Sequence, residues 1–170
     1  MKRTIVTLSI VFTSVLMGIC IAQSRKSAEK AQTVVVLPFE SAVKGASTLS
    51  DATRSAVIQM LKEEKLFEAV LTPEEAKDKD KANIVELGAR LVDFEPGNAA
   101  KRLLVGLGTG RAHAGFEFSM KDSTGQVWKK TVKSTASFWF NGYTSSATER
   151  AELPDGVAKK LIDELKKRNH

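Results

Sequence analysis

The chain carries one cysteine, Cys20, and it lies inside an apolar leader. If that leader is removed, the mature protein has no thiol. Disulfides, thiolate-bound zinc, thiol redox chemistry and a cysteine nucleophile are then excluded. Histidine is almost as scarce: His170 is terminal, which leaves His113 as the sole imidazole within the fold. It falls on the polar side of an alternating stretch with no second ligand at a useful spacing, so it reads as an edge histidine. A Ser-His-acid set would need this same residue, and no serine sits in a nucleophile-elbow context. The carboxylate pairs Glu74/Glu75 and Asp78/Asp80 lie in a charge-balanced stretch unsuited to glycoside chemistry. These gaps predict no enzyme, no catalytic residue, no metal and no cofactor.

A strong charge of one sign is also missing. The formal charge is +6, and losing Lys2 and Arg3 with the leader takes it to +4. Lysine and glutamate are interspersed, as in Lys62-Glu63-Glu64-Lys65, which describes solvated faces rather than the concentrated basic patch of a nucleic-acid binder. Hydrophobic residues at 42% are enough for a core at this length.

What is present begins with the leader. Met1-Lys2-Arg3 is a short positive start, and an uncharged apolar stretch over 5–21 follows. Cys20-Ile21-Ala22 places small residues at the −3 and −1 positions of a signal-peptidase site, with Gln23 as the new N-terminus. The expected layout is a signal peptide over 1–22, a flexible polar tether over 23–32 and a single α/β domain over 33–168. The expected location is the periplasm or the exterior. Two alternatives keep the chain on a membrane. The leader is long enough to span if it is retained, or Cys20 could carry lipid, although Ile19 stands where a lipoprotein signal wants glycine or alanine.

Behind the tether, Thr33 to Phe39 is a β-branched run closed by Pro38, apolar on both faces as in a central, doubly covered strand. Residues 40–48 read as loop. Leu49, Ala52, Ala56, Val57, Met60 and Leu61 recur at helical spacing, with Thr48 or Ser50 available as the cap. Residues 66–71 suggest a second strand, and Thr72-Pro73-Glu74-Glu75 a short helical turn. Over 82–94, Val85, Leu87, Ala89 and Leu91 alternate with Glu86, Gly88 and Arg90. Over 112–121, Ala112, Ala114, Phe116, Phe118 and Met120 share one face. The turn Asp122-Ser123-Thr124-Gly125 leads into a partner strand over 126–140 with Lys129, Thr131, Lys133 and Thr135 toward water. Asn141-Gly142 is a further turn. A last helix turns Val157, Ala158, Leu161, Ile162 and Leu165 inward and Lys159, Lys160, Lys166 and Lys167 outward. The fold class expected is α+β: a mixed, mostly antiparallel sheet of about five strands with two main helices packed on one face.

The glycine-rich stretch 97–115 is the most unusual segment. Its G-x-G-x-G core is a poor phosphate loop, because no Lys-Ser/Thr follows and a strand rather than a helix comes next. Read as extended, it aligns Gly106, Gly108, Gly110, Ala112 and Ala114 as a ledge of small side chains. Such a ledge suits a tightly crossing helix or a partner surface. Arg102 and Arg111 flank it and could bind an acidic group. In Phe138-Trp139-Phe140, Trp139 faces out if its neighbours fill the core. The candidate interaction surface is therefore Arg102, Gly106, Gly108, Gly110, Arg111 and Trp139. It would serve contact with another envelope protein or self-assembly, or alternatively a small-ligand or anion site. Nucleic acid is not an expected partner, and a membrane is one only through an uncleaved or lipidated N-terminus.

Three segments, Val34-Val35-Val36-Leu37-Pro38-Phe39, the run from Gly97 through Gly110, and Asp122-Ser123-Thr124-Gly125-Gln126-Val127, resemble domain-of-unknown-function family 4410. Its members are bacterial exported proteins or lipoproteins, and the resemblance covers about 33–165. More distantly, the same features look like the periplasmic domain of the curli secretion channel subunit and the N-terminal domain of the Tol translocation protein. The resemblance implies an envelope-associated α/β domain that binds other proteins or itself. It carries no catalytic motif, and the long amphipathic transmembrane segments of the curli channel are absent.

Overall fold

Val34, Val35 and Val36 are all buried, at 0%, 5% and 0% exposure. Three consecutive β-branched residues can be hidden together only in a strand covered on both faces, as the sequence predicts. That strand, β1 (Thr33–Val36), lies inside the sheet between β3 and β4 and runs parallel to both. The computed structural model describes residues 32–79, 83–98, 110–136 and 146–169. The expected leader, the tether up to residue 31, the Asn141-Gly142 turn, Phe138 and Phe140 lie outside the described residues.

In chain order the elements are β1, β2 (Glu40–Ser41), α1 (Ser47–Glu64), β3 (Ala69–Leu71), β4 (Ile84–Glu95), β5 (His113–Lys121), β6 (Val127–Thr135) and α2 (Ser146–Asn169). The sheet has six strands in the order β3-β1-β4-β5-β6, with β2 also paired to β4. This is an α+β fold, but the sheet is mixed rather than mostly antiparallel. Every pair that involves β1 or β2 is parallel, and only β4–β5 and β5–β6 are antiparallel. The reason is the α1 crossover, which returns the chain to the same end of the sheet before β3.

The additional strand, β2, lies within the expected loop. Leu37 N–H donates to the Leu87 carbonyl and Ala42 N–H to that of Leu91, both at 2.9 Å, so the chain keeps following β4 past Pro38. Proline has no N–H to give the ladder. The register slips by one residue there, from Val36↔Leu87 to Glu40↔Arg90. Phe39, in this interruption, turns into the core against Phe116 and Phe118, with ring centroids 6.4 and 5.7 Å away.

The inward residues of β4 and β5 are those the alternation predicts: Val85, Leu87, Ala89 and Leu91, then Ala114, Phe116, Phe118 and Met120, all buried. Helix α2 buries Leu153, Val157, Ala158, Leu161, Ile162 and Leu165 against them. The expected stripe of α1 needs correction. Its buried residues are Ser50, Thr53, Val57 and Leu61, whereas Ala52 is exposed and Leu49, Ala56 and Met60 are half-buried. Two hydroxyls can go inside because each finds a carbonyl: Thr53 Oγ1 donates to Leu49 at 2.7 Å, and Ser50 Oγ donates to Glu40 at 3.3 Å. Ser50 is thereby unavailable as the cap. The N-cap is Ala46, without a side-chain hydrogen bond. Arg54, on the same helix, donates Nη2 to the Val36 carbonyl at 2.8 Å and Nε to that of Leu37 at 3.0 Å, beside the Pro38 break.

The short turn after β3 forms as expected. Thr72 N–H donates to Glu75 Oε2 at 2.7 Å and Glu75 N–H to Thr72 Oγ1 at 3.4 Å, a reciprocal capping box. In the hairpin, Gly125 takes φ +83°, and Asp122 Oδ1 accepts from the Thr124 hydroxyl and from the N–H groups of Thr124 and Gln126.

Helix α2 packs tightly on β6 at Gly156, where an added Cβ would fall on the Ser134 hydroxyl. Alanine gains about 1 kcal/mol over glycine in a helix interior, so Gly156→Ala sets that gain against a clash. The same methyl would lie 3.5 Å from Ser134 Cβ, an ordinary contact. Urea unfolding should therefore find Gly156→Ala stabilising by about 1 kcal/mol in a Ser134→Ala background. In the wild-type background the gain should be smaller by at least about 0.5 kcal/mol, or reversed. Additive effects would mean that the close approach does not limit the packing.

Candidate functional site

Because one sheet face carries both helices, the alternate side chains of β4, β5 and β6 line the other face. The register orders them in rows. Glu40, Arg90, Glu117 and Thr131 lie side by side across four strands, and Gly88, Ser119 and Lys129 form the next row. A cleft of about 620 Å³ lies over these rows, bounded by Leu37, Pro38 and Glu40 on the β1–β2 side. Gly88 gives it room, since a Cβ there would come no nearer than 3.5 Å to Ser119 Oγ and 3.8 Å to Leu37 Cδ1. Arg90 stands between two carboxylates, so the charges of its row largely cancel. This lining suits a polar protein surface better than a free anion.

Toward the far end of β4 the pattern shifts. Leu91 pairs with Phe116 and Asp93 with Gly115, leaving Val92 as an extra residue in a β-bulge. The bulge reverses which residues of β4 face out: Phe94 packs against the core, and Asp93 and Glu95 join His113 on the polar face. His113 Nε2 is 3.4 Å from Asp93 Oδ1 and Nδ1 is 3.8 Å from Glu95 Oε2, while Lys133 Nζ is 3.6 Å from Asp93 Oδ2. His113 is thus a half-exposed member of a surface charge cluster. Among the described residues, no group of three or more His, Cys, Asp or Glu side chains could hold a metal ion.

The third feature is the β6 edge. Asp122 N–H donates to the Gln126 carbonyl and Ala136 N–H to that of Ala112, which fixes the hydrogen-bonded pairs at even positions of β6. The N–H and C=O groups of Val127, Lys129, Thr131, Lys133 and Thr135 therefore point away from β5. Among the described residues, no further strand pairs there. Lys160 Nζ, from α2, donates to the outward Lys133 carbonyl at 2.7 Å. Lys130 reaches across to Glu164 at 2.7 Å, and Lys167 meets the same carboxylate at 2.9 Å. A groove of about 200 Å³ runs between this edge and α2. The two ammonium groups, Lys130 first, hold the Glu164 carboxyl at about 2, well below its ordinary 4.5.

Of the residues singled out from the sequence, Gly110 and Arg111 are described, and neither lines the cleft or the groove. Gly110 is a bend with φ +69° whose carbonyl accepts from Asn98 N–H at 2.7 Å, so the extended spacing does not run through it. Arg111 is half-buried, and Ala112 and Ala114 are wholly inside the core. Arg102, Gly106, Gly108, Trp139, Ala22 and Gln23 lie outside the described residues. The sequence pattern put Arg90 on the face opposite Leu87 and Leu91 and turned Lys129 and Thr131 to water, but it did not line them up across strands. Counting back from the Asp122–Gly125 turn would have placed Glu117 opposite Thr131. The groove beside β6 had no local signal, because it needs the position of α2.

The described residues define a class: a small α+β domain whose mixed sheet is covered by helices on one face and, over β4, β5 and β6, charged and open on the other. The chain belongs to the family described as Domain of unknown function (DUF4410), whose model matches residues 23–142. Solved structures share the fold. A single-residue variant of the PelC dodecamer from Paraburkholderia phytofirmans is 16% identical, with 79% of this chain and 89% of that one covered and a TM-score of 0.52. Protein XCC0632 from Xanthomonas campestris, of family model DUF330, is 12% identical over 81% and 83%, also at 0.52. No curated protein matches the chain.

The Glu164 pairs have a pH signature. A carboxyl with a lowered folded-state pKa adds stability above its unfolded value, and that addition is lost as pH falls through the folded value. Thermal melts should find the wild type more stable than Glu164→Gln at neutral pH. The gap should close between pH 4.5 and about 2. A gap independent of pH would mean that the ion pairs do not pin α2 to β6.

Proposed function

We propose that this protein is exported to the cell envelope and works without chemistry of its own, by contact with other proteins, chiefly copies of itself. The reading takes 1–22 as a cleaved leader and 33–168 as one folded domain behind a tether. The observation that carries it is the fold shared with the PelC dodecamer over 79% of this chain. The composition agrees: a signal-like start, a mild net charge and no reactive constellation suit a chain that presents surfaces. The polar sheet face and the β6 edge are surfaces a protein partner can use. The cleft presents charges of both signs, Glu40, Arg90, Glu117 and Lys129, which suits contact with a protein surface. The anion-binding alternative rests on Arg102 and Arg111, of which Arg111 does not line the cleft and Arg102 lies outside the described residues.

Two measurements test the reading. Size-exclusion chromatography with light scattering on the protein purified from a secreting host should give a mass several times that of one chain. A strict monomer at about a hundred micromolar rejects self-assembly. Intact-mass analysis of the same material should give the chain beginning at Gln23. A mass for diacylation at Cys20 keeps export but changes the attachment, and an unprocessed cytosolic chain rejects export.

A further inference from the structure

We infer that copies join head to tail, the β6 edge of one chain pairing with the β3 edge of the next. This rests on the self-assembly reading and specifies its joint. The two ends of the sheet differ in charge. Lys129 and Lys133 lie on β6, and Lys160 and Lys167 rise beside it on α2. The acids among them are Asp163 and Glu164, and Glu164 already serves Lys130 and Lys167. The β3 end is mildly acidic: over 62–79 six carboxylates stand against four lysines, and Glu68 is exposed immediately before the strand.

The hydrogen-bonding groups also match. Leu37 N–H donates to the Leu87 carbonyl, so the odd residues of β1 face β4 and Val34 faces β3. Val34 stands opposite Val70 and therefore bonds to Ala69 and Leu71, which leaves the N–H and C=O of Val70 facing away. On β6, Lys160 occupies the Lys133 carbonyl, and among the described residues no strand pairs with the outward groups of Val127, Lys129 and Thr131. A short outward-facing stretch thus meets a short edge. Val127 is the exposed large hydrophobic residue of the described part, at 48%, and an added strand would cover it.

Like edges are poor partners. Two β6 strands would bring lysine against lysine, and two β3 strands would bring Glu68 toward Glu68. Joining unlike edges is a heterologous contact, which closes into a ring when the rotation per copy allows. Lysines on an edge strand commonly block unwanted pairing. Here they would exclude another basic edge while attracting an acidic one.

The test uses the protein from a secreting host, measured by light scattering at low and high salt. Thr131→Pro removes an N–H that points away from β5, so the β5 ladder stays intact; the variant should keep its circular dichroism and run as a monomer. Lys129→Glu should lower the oligomer fraction at low salt at least tenfold, and Lys129→Glu combined with Glu68→Lys should restore it. If Thr131→Pro fails to fold, the charge pair decides alone. A wild-type oligomer that neither change reduces, or a loss that Glu68→Lys does not restore, overturns this joint and leaves self-assembly standing. A monomeric wild type removes both.

Discussion

Over β4, β5 and β6 the sheet is covered by helices on one side only, and that constrains every residue there. Side chains alternate between faces, so each position of β4, β5 and β6 is committed either to the core or to water, and a slip of one residue would exchange the two sets. Phe116, Phe118, Leu87 and Leu91 are fully buried on one side, and Glu117, Ser119, Arg90 and Gly88 stand between them on the other. The polar face is therefore a by-product of the core's register as much as a surface in its own right. Its rows of paired charges follow from which inward residues face each other.

This constraint explains what the sequence made legible. Strict alternation in β4 and β5 and the Asp122 turn between β5 and β6 specify the inward set. The same is true of the three valines of β1 and the apolar stripe of α2. The misses have physical causes. Strand β2 is two residues long and follows Pro38, too short to display a period. The buried stripe of α1 includes Ser50 and Thr53, which hydrophobicity alone assigns to water until their carbonyl partners are known. The Val92 bulge was visible in principle, because the apolar residues pass from odd to even positions between Leu91 and Phe94.

The candidate site was less legible than the fold. A cleft depends on how strands from distant parts of the chain line up, and a groove depends on where a helix comes to rest over an edge. Neither leaves a mark on neighbouring residues. The residues chosen from local pattern fell instead on the glycine-rich stretch, whose described end turns at Gly110 and then enters the core at Ala112. Structural likeness at 16% and 12% identity shows a shared fold and leaves each surface to be argued from its own side chains.

Arg54 ties these threads together. Its planar fork lies on two successive carbonyls at the point where proline interrupts the sheet, and a rigid fork admits few orientations. The clasp acts together with the packing of Val57 and Leu61 to hold the roll of α1 about its own axis. The inward arc of α1 includes two hydroxyls, one bonded within the helix at the Leu49 carbonyl and the other to the Glu40 carbonyl outside it. An amphipathic projection would misjudge any helix clasped in this manner, however clean its apolar spacing.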